Sequence, residues 1–314
     1  MTTYIFKRLL SMIPVLFLVS LVVFYIIHLT PGDPALVMLG EEATPEMVTA
    51  LRHQLGLDQP LPVQYGTWLS RVVQGDLGRS IRSNKLVSQD IVSRLPVTIE
   101  LTVLAMLIAL AIAIPTGIIS ATRRNSKSDL LVTTIALLGV SMPNFFLAIL
   151  LIFVFSLYLR WLPPIGYTPV EQNVVENLRG MILPSITLGA ATAAVIARLT
   201  RSSLLEVLNQ EYIRTARAKG LSERIVILGH AMKNAMIPVV TICGLQIGGL
   251  LGGAIITETL FVLPGVGSLA VNAIFSRDFP VVQGDVLFLA VMFMLTNLVV
   301  DVMYGFLDPR IRYA

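Results

Sequence analysis

Six long apolar runs punctuate the chain: Leu9–Leu29, Ile99–Ser120, Leu130–Leu159, Ile182–Leu199, Ile237–Leu260 and Val286–Leu307. At 1.5 Å per residue each can cross a bilayer as a helix. The pattern therefore predicts an all-α polytopic membrane protein with six spans. The first run is too long for a signal-peptide core and no small-residue cleavage site follows it, so it reads as an uncleaved first helix. The third run is longer than a straight span needs and carries Pro143 and Asn144 near its middle. A kink is predicted there, with Tyr158 and Trp161 in the outer interfacial belt. Between the first two runs the pattern turns soluble. Turn signals at Pro31–Pro34 and Asp58–Pro62 alternate with charges of both signs, among them Glu41, Glu42, Arg52, Asp76, Arg79 and Lys85. Helical spacing in Pro45–Gly56 and Gln64–Gln74 predicts two short helices lying on the membrane face.

Hydrophobic residues make up 55% of the chain and charged residues 13%, with mean hydropathy +0.80, which excludes an ordinary soluble domain. The formal charge of +4 requires no nucleic-acid partner, because basic residues gather in short connections between spans. Arg123, Arg124 and Lys127 follow the second run, Arg198 and Arg201 end the fourth, and Arg310 and Arg312 follow the sixth. By the inside-positive rule these segments and both termini are cytoplasmic. The expected organisation is a first transmembrane helix (1–29), a small extracytoplasmic region (30–98), and a transmembrane core (99–314). The fifth run brings Gly244, Gly248 and Gly252 into one row and Gly249 and Gly253 into the next, spacings that let helices approach closely.

Chemistry is sparse. No phosphate loop, HExxH helix or nucleophile elbow occurs, so no catalytic residue is assigned. The three histidines, His28, His53 and His230, fall in different regions, and the single cysteine, Cys243, lies within an apolar run, so neither a metal site nor a disulfide is predicted. Polar residues at membrane depth are costly and therefore candidates for a translocation path: Asn144, Gln246, and Asn297 with Asp301, four apart on one helix face. Interhelical hydrogen bonding is the alternative role. Glu100 and Glu258 fall near span ends, where a structural role is favoured.

The most informative stretch is Glu211–Pro238, too polar to span and rich in Arg214, Arg217, Lys219, Arg224 and Lys233. It predicts two short helices meeting at Gly220, the second capped by Ser222 and striped by Ile225, Leu228, Gly229, Met232 and Met236. Ala216, Ala218 and Gly220 are too small to bury much surface in anionic lipid, and instead suit close contact with protein.

On these residues the chain resembles the permease subunits of ATP-binding-cassette importers. Arg214-Thr215-Ala216, Gly220, and Ile237-Pro238 are similar to the cytoplasmic loop that docks an ATPase, with Arg214 where that loop usually has Glu and a longer gap to Ile237-Pro238. Both departures resemble the dipeptide, oligopeptide and nickel branch. PGDP at Pro31–Pro34, LGLDQPLPVQYGTWL at Leu55–Leu69, GDLGRS at Gly75–Ser80, TRSSLLEVL at Thr200–Leu208, LPGVG at Leu263–Gly267 and LDPRIR at Leu307–Arg312 extend the likeness along the chain. The resemblance implies a type I importer permease fold in the bacterial inner membrane and a coupling loop over about residues 201–236. Its implied ATPase-docking residues are Tyr212, Ile213, Arg214, Thr215, Ala216, Arg217, Ala218, Gly220 and Leu221. It also implies a second homologous permease, two cytoplasmic ATPase subunits that hold ATP and Mg, and an extracytoplasmic binding protein, with no cofactor on this chain. Dipeptides, short peptides or glutathione are the favoured cargo and nickel the alternative. An ion-coupled secondary carrier would show internal repeats and interrupted helices, and none is evident.

Overall fold

The computed structural model describes residues 2–29, 34–39 and 43–307. Residues 31–33 of the PGDP turn, Glu41, Glu42, Arg310 and Arg312 lie outside them. The architecture is helical throughout; among the described residues the one β feature is an isolated bridge between Arg79 and Leu86. Contacts divide the chain into two units, Met1–Pro96 with Pro264–Leu295, and Val97–Leu263 with Thr296–Ala314.

The first unit contains α1 (Thr2–Leu29), α2 (Pro34–Leu39), α3 (Pro45–Leu55), α4 (Leu61–Val73), the start of α5 (Val87–Thr122), α12 (Val266–Ser276) and the start of α13 (Phe279–Leu307). Both short helices predicted after the first span are present. Thr44 caps α3 by accepting the Met47 N–H at 3.3 Å, and Gly56 ends it in the left-handed region. α4 lies against α1 through aromatic rings: Tyr65 and Trp68 pack on Phe24, and the Ser20 and Tyr65 hydroxyls are 2.7 Å apart. A small core of Val87, Ile91, Val266, Leu269, Ala273 and Val281 closes the unit. The GDLGRS segment is pinned to it by the buried carboxylate of Asp278, which accepts from the Ser80 hydroxyl at 2.6 Å and the Ile81 N–H at 3.1 Å.

The second unit is built around α8 (Val174–Leu208), which packs against α6 (Lys127–Ser141), α7 (Asn144–Leu151) and α11 (Met232–Phe261). Among the described residues five helices are long and apolar enough to cross a membrane, and six if α6 and the helix Asn144–Tyr158 count as one broken span. The kink predicted at Pro143 is in fact a bend of 109°. Its cause is local: proline offers no N–H to continue the ladder, and it forces Met142 out of the helical region to φ −85°, ψ 124°. The fifth span also differs from expectation. Instead of beginning near Ile237, one candidate span runs from Glu223 to Phe261, through α10 (Glu223–Ile225), a π-helical turn (Val226–Ala231) and α11.

Glycine sets the closest approach. A Cβ on Gly189 would lie 2.5 Å from the Ala105 carbonyl oxygen, so α5 and α8 meet backbone to backbone. Gly189→Ala must push these helices apart and is expected to cost about 1–3 kcal/mol. Gly252→Ala, where nothing lies within 4 Å, should be neutral or slightly stabilising. Thermal denaturation of the two purified variants separates them; equal transitions would contradict the tight crossing.

Candidate functional site

The predicted docking segment forms α9 (Glu211–Ala218), with Glu211 in its first turn and Arg217 in its last, both matched to the helix dipole. Gly220 adopts φ +80°, and its N–H donates to the Arg217 carbonyl at 2.9 Å, which turns the chain sharply into α10. Ser222 occupies the N-cap position of α10 without making a side-chain cap.

Two side chains three apart, Ile213 and Ala216, point into the chain itself, 0% and 7% exposed. They enter an apolar cluster of Ala121, Leu204, Val226, Ala231 and Ala235, flanked by the half-buried Leu221. Burying Ile213 contributes about 1.5–3 kcal/mol and is what seats α9. The exposed ion pairs Arg214–Glu211 at 2.7 Å and Arg217–Glu223 at 2.7 Å add little, since such pairs are each worth roughly 0.2–1 kcal/mol. Tyr212, Arg214, Thr215, Arg217, Ala218 and Gly220 are exposed. The Tyr212 hydroxyl accepts from Asn234 at 2.8 Å.

This geometry corrects two expectations. Ala216 is small because α9 approaches its own chain, so neither it nor Ile213 forms the outward face. The predicted stripe is also out of phase: Ile225 and Leu228 are exposed, whereas Val226, Ala231 and Ala235 are buried. The π-helical turn adds a residue to one turn, so a 3.6-residue period extrapolated through it lands on the wrong face.

Behind the seat lies an ion pair that the sequence reading did not single out. Asp129, at the start of α6, receives Arg201 of α8 in a bidentate pair, Nε to Oδ1 and Nη2 to Oδ2, both 2.8 Å. Ser120 at the end of α5 donates to the same carboxylate, as does the Asn125 N–H at 2.9 Å, with Asn125 at φ 60°. Three helix ends are thus tied at one buried acid. Arg201 lies one turn before Leu204, which contacts the α9 seat, so the tie braces the wall on which α9 rests. Arg201 reads in sequence only as an inside-positive marker; a partner 72 residues away leaves no periodic signal.

The polar residues at membrane depth are each half-buried: Asn144, Gln246, Asn297 and Asp301. Asn144 is the first residue of α7, directly after the Pro143 break, and its amide lies beside Gly253. Glu258 is fully buried and accepts from Thr98 at 2.6 Å, while Glu100 accepts from the Tyr167 hydroxyl at 2.8 Å. Burial, then that carboxylate, push the Tyr167 phenol up to about 12. Among the described residues no cluster of three or more His, Cys, Asp or Glu side chains could hold a metal ion.

The family model for the binding-protein-dependent transport system inner membrane component matches residues 113–313, and a model for the N-terminal part of such components matches residues 1–102. The chain is 49% identical over 313 residues to the glutathione transport system permease protein GsiC of Escherichia coli (strain K12), with 100% of both chains covered. It is 46% identical over 333 residues to the dipeptide transport system permease protein DppB of Alkalihalophilus pseudofirmus, again with 100% of both covered. A crystal structure of an amino acid ABC transporter with histidines is similar in fold, with TM-score 0.50 and 16% identity over 69% of this chain and 94% of that one.

Proposed function

This chain belongs to the family of binding-protein-dependent transport system inner membrane components, a permease subunit of an ABC importer, and from that premise we propose that it carries dipeptides or short peptides such as glutathione across the inner membrane. The observation that carries the peptide reading is full-length identity of 46–49% to permeases named for dipeptide and glutathione transport. In the proposed assembly a second, homologous permease completes the path, two cytoplasmic ATPases hydrolyse ATP, and an extracytoplasmic binding protein delivers cargo. Residues 30–98 lie on the side of that binding protein, both termini lie in the cytoplasm, and the coupling segment, about 201–236, faces the ATPases.

The coupling role follows from how α9 is mounted. Its inner face is held by Ile213 and Ala216 on the ends of α5, α8 and the α10–α11 helix, so a push on its outer face reaches spans rather than a slack loop. The outer face offers Tyr212, Arg214, Thr215, Arg217 and Ala218. Asn144, Gln246, Asn297 and Asp301 are the proposed polar contacts of the path.

The test is uptake by proteoliposomes containing both permeases, the ATPases and the binding protein. Labelled dipeptide or glutathione should accumulate only with internal ATP. Accumulation driven by an ion gradient without ATP would establish a secondary carrier, and uptake of nickel without peptide would establish the metal branch.

A further inference from the structure

The first unit contains a cavity of about 720 Å³ that the transport reading does not use. Its apolar lining joins Phe24, within the membrane-crossing stretch Phe6–Tyr25 of α1, to Val63 and Trp68 of α4, the Phe24 and Trp68 rings packing with centroids 5.7 Å apart. Because α4 is bound edge-on to the last turns of a membrane span through Phe24, Tyr65 and Trp68, the cavity sits at the depth where hydrocarbon gives way to headgroups. Leu61, Val63 and Val73 of α4 are exposed apolar side chains, as expected of a helix lying in that layer.

The polar lining is of mixed sign. Arg71 is exposed and makes no side-chain hydrogen bond or ion pair among the described residues, which leaves its guanidinium donors available at the cavity. Arg79 uses one nitrogen to donate to the Asn84 carbonyl at 3.1 Å and retains further donors. Asp76 accepts the Gly78 N–H through Oδ1, which leaves Oδ2 for a cation. Two guanidinium groups, one carboxylate and an aromatic wall in one cavity match a molecule with a phosphate, a nearby ammonium and an acyl chain.

We propose that this cavity is a binding site for a single aminophospholipid, its phosphate held by Arg71 and Arg79, its primary ammonium on Asp76, and its upper acyl chain along Phe24, Val63 and Trp68. Arginine suits the phosphate because its planar fork donates in pairs. A primary ammonium can donate a hydrogen bond to Asp76, and a quaternary one cannot, so the site discriminates between headgroups of equal charge.

The experiment uses the full-length permease, purified with its partners from nanodiscs of phosphatidylethanolamine, phosphatidylglycerol and phosphatidylcholine in equal amounts, with retained lipid counted by native mass spectrometry. The wild type should keep one phosphatidylethanolamine per chain in preference to the other two lipids. Arg71→Gln, which breaks no hydrogen bond or ion pair among the described residues, should lower that occupancy about tenfold, the loss of one charge-assisted hydrogen bond. Asp76→Asn keeps the acceptor for Gly78 and should retain lipid but lose the preference for ethanolamine. Equal retention of all three lipids by the wild type, or unchanged occupancy in Arg71→Gln, overturns the proposal. Displacement of the bound lipid by millimolar trialanine would overturn it too, in favour of a peptide site.

Discussion

Arg201→Ala is expected to destabilise the protein by about 3 kcal/mol, because it leaves the Asp129 carboxylate buried without its bidentate partner. The lower end of the range for a broken buried pair applies, since the Arg201 side chain is 30% exposed while that of Asp129 is 6% exposed, and solvent screens part of the interaction. The damage should spread, because Asp129 also holds Ser120 of α5 and the Asn125 N–H. Thermal denaturation of the purified protein measures the loss. The double variant Asp129→Leu/Arg201→Met removes both charges and should recover only part of it, because leucine leaves the Ser120 hydroxyl and the Asn125 N–H without their acceptor. If Arg201→Ala alone denatures at the wild-type temperature, the pair contributes nothing to the fold.

Ala216→Asp is expected to have the second large effect, through this chain rather than through direct contact with a partner. The new carboxylate would enter the cluster of Leu204, Ile213, Val226 and Ala235 with no cation among those residues, a cost of several kcal/mol. α9 cannot keep that side chain in its seat, while the spans keep theirs. The variant should insert normally, show faster proteolysis at Gly220, lose its ATPases on purification and fail to transport. Ala218→Asp, on the exposed face, should weaken ATPase retention without faster proteolysis. Wild-type proteolysis of Ala216→Asp would contradict the inward orientation of α9.

Which of these features sequence could reveal follows from the range of the forces involved. The spans are legible because every residue in an apolar run reports on its surroundings, and α3 is legible from the helical spacing of Pro45–Gly56, which the helix Pro45–Leu55 follows. The segment after Gly220 is legible as a helix, but its buried face is not: hydrophobic period identifies Ile225 and Leu228, and a single π-helical turn moves burial to Val226 and Ala231. Ala216 is visible as a small residue, yet smallness specifies close approach and not which chain approaches, and Gly220 turns out to mark the turn after α9. Pro143 marks the break in sequence, but not the angle between α6 and α7, both of which pack against α8. Asp129 and Arg201 are joined only by the tertiary fold, and inside-positive charge hides the role of the arginine. The acids at Glu100 and Glu258 are visible near span ends, but their partners Tyr167 and Thr98 are not.

In the proposed coupling role, α9 is mounted by one face and transmits force through the other. Disulfide cross-linking in intact membranes tests this directly, with Cys243 replaced by serine, single cysteines introduced at Ala218, Thr215 or Ile213, and a cysteine series across the ATPase surface. Cysteines at positions 218 and 215 should cross-link to the ATPase, with yields that change when ATP is added, and cysteine at 213 should not. Cross-linking from 213 with none from 215 or 218 would contradict the orientation of the helix, and no cross-link from any of the three would remove α9 from the contact altogether.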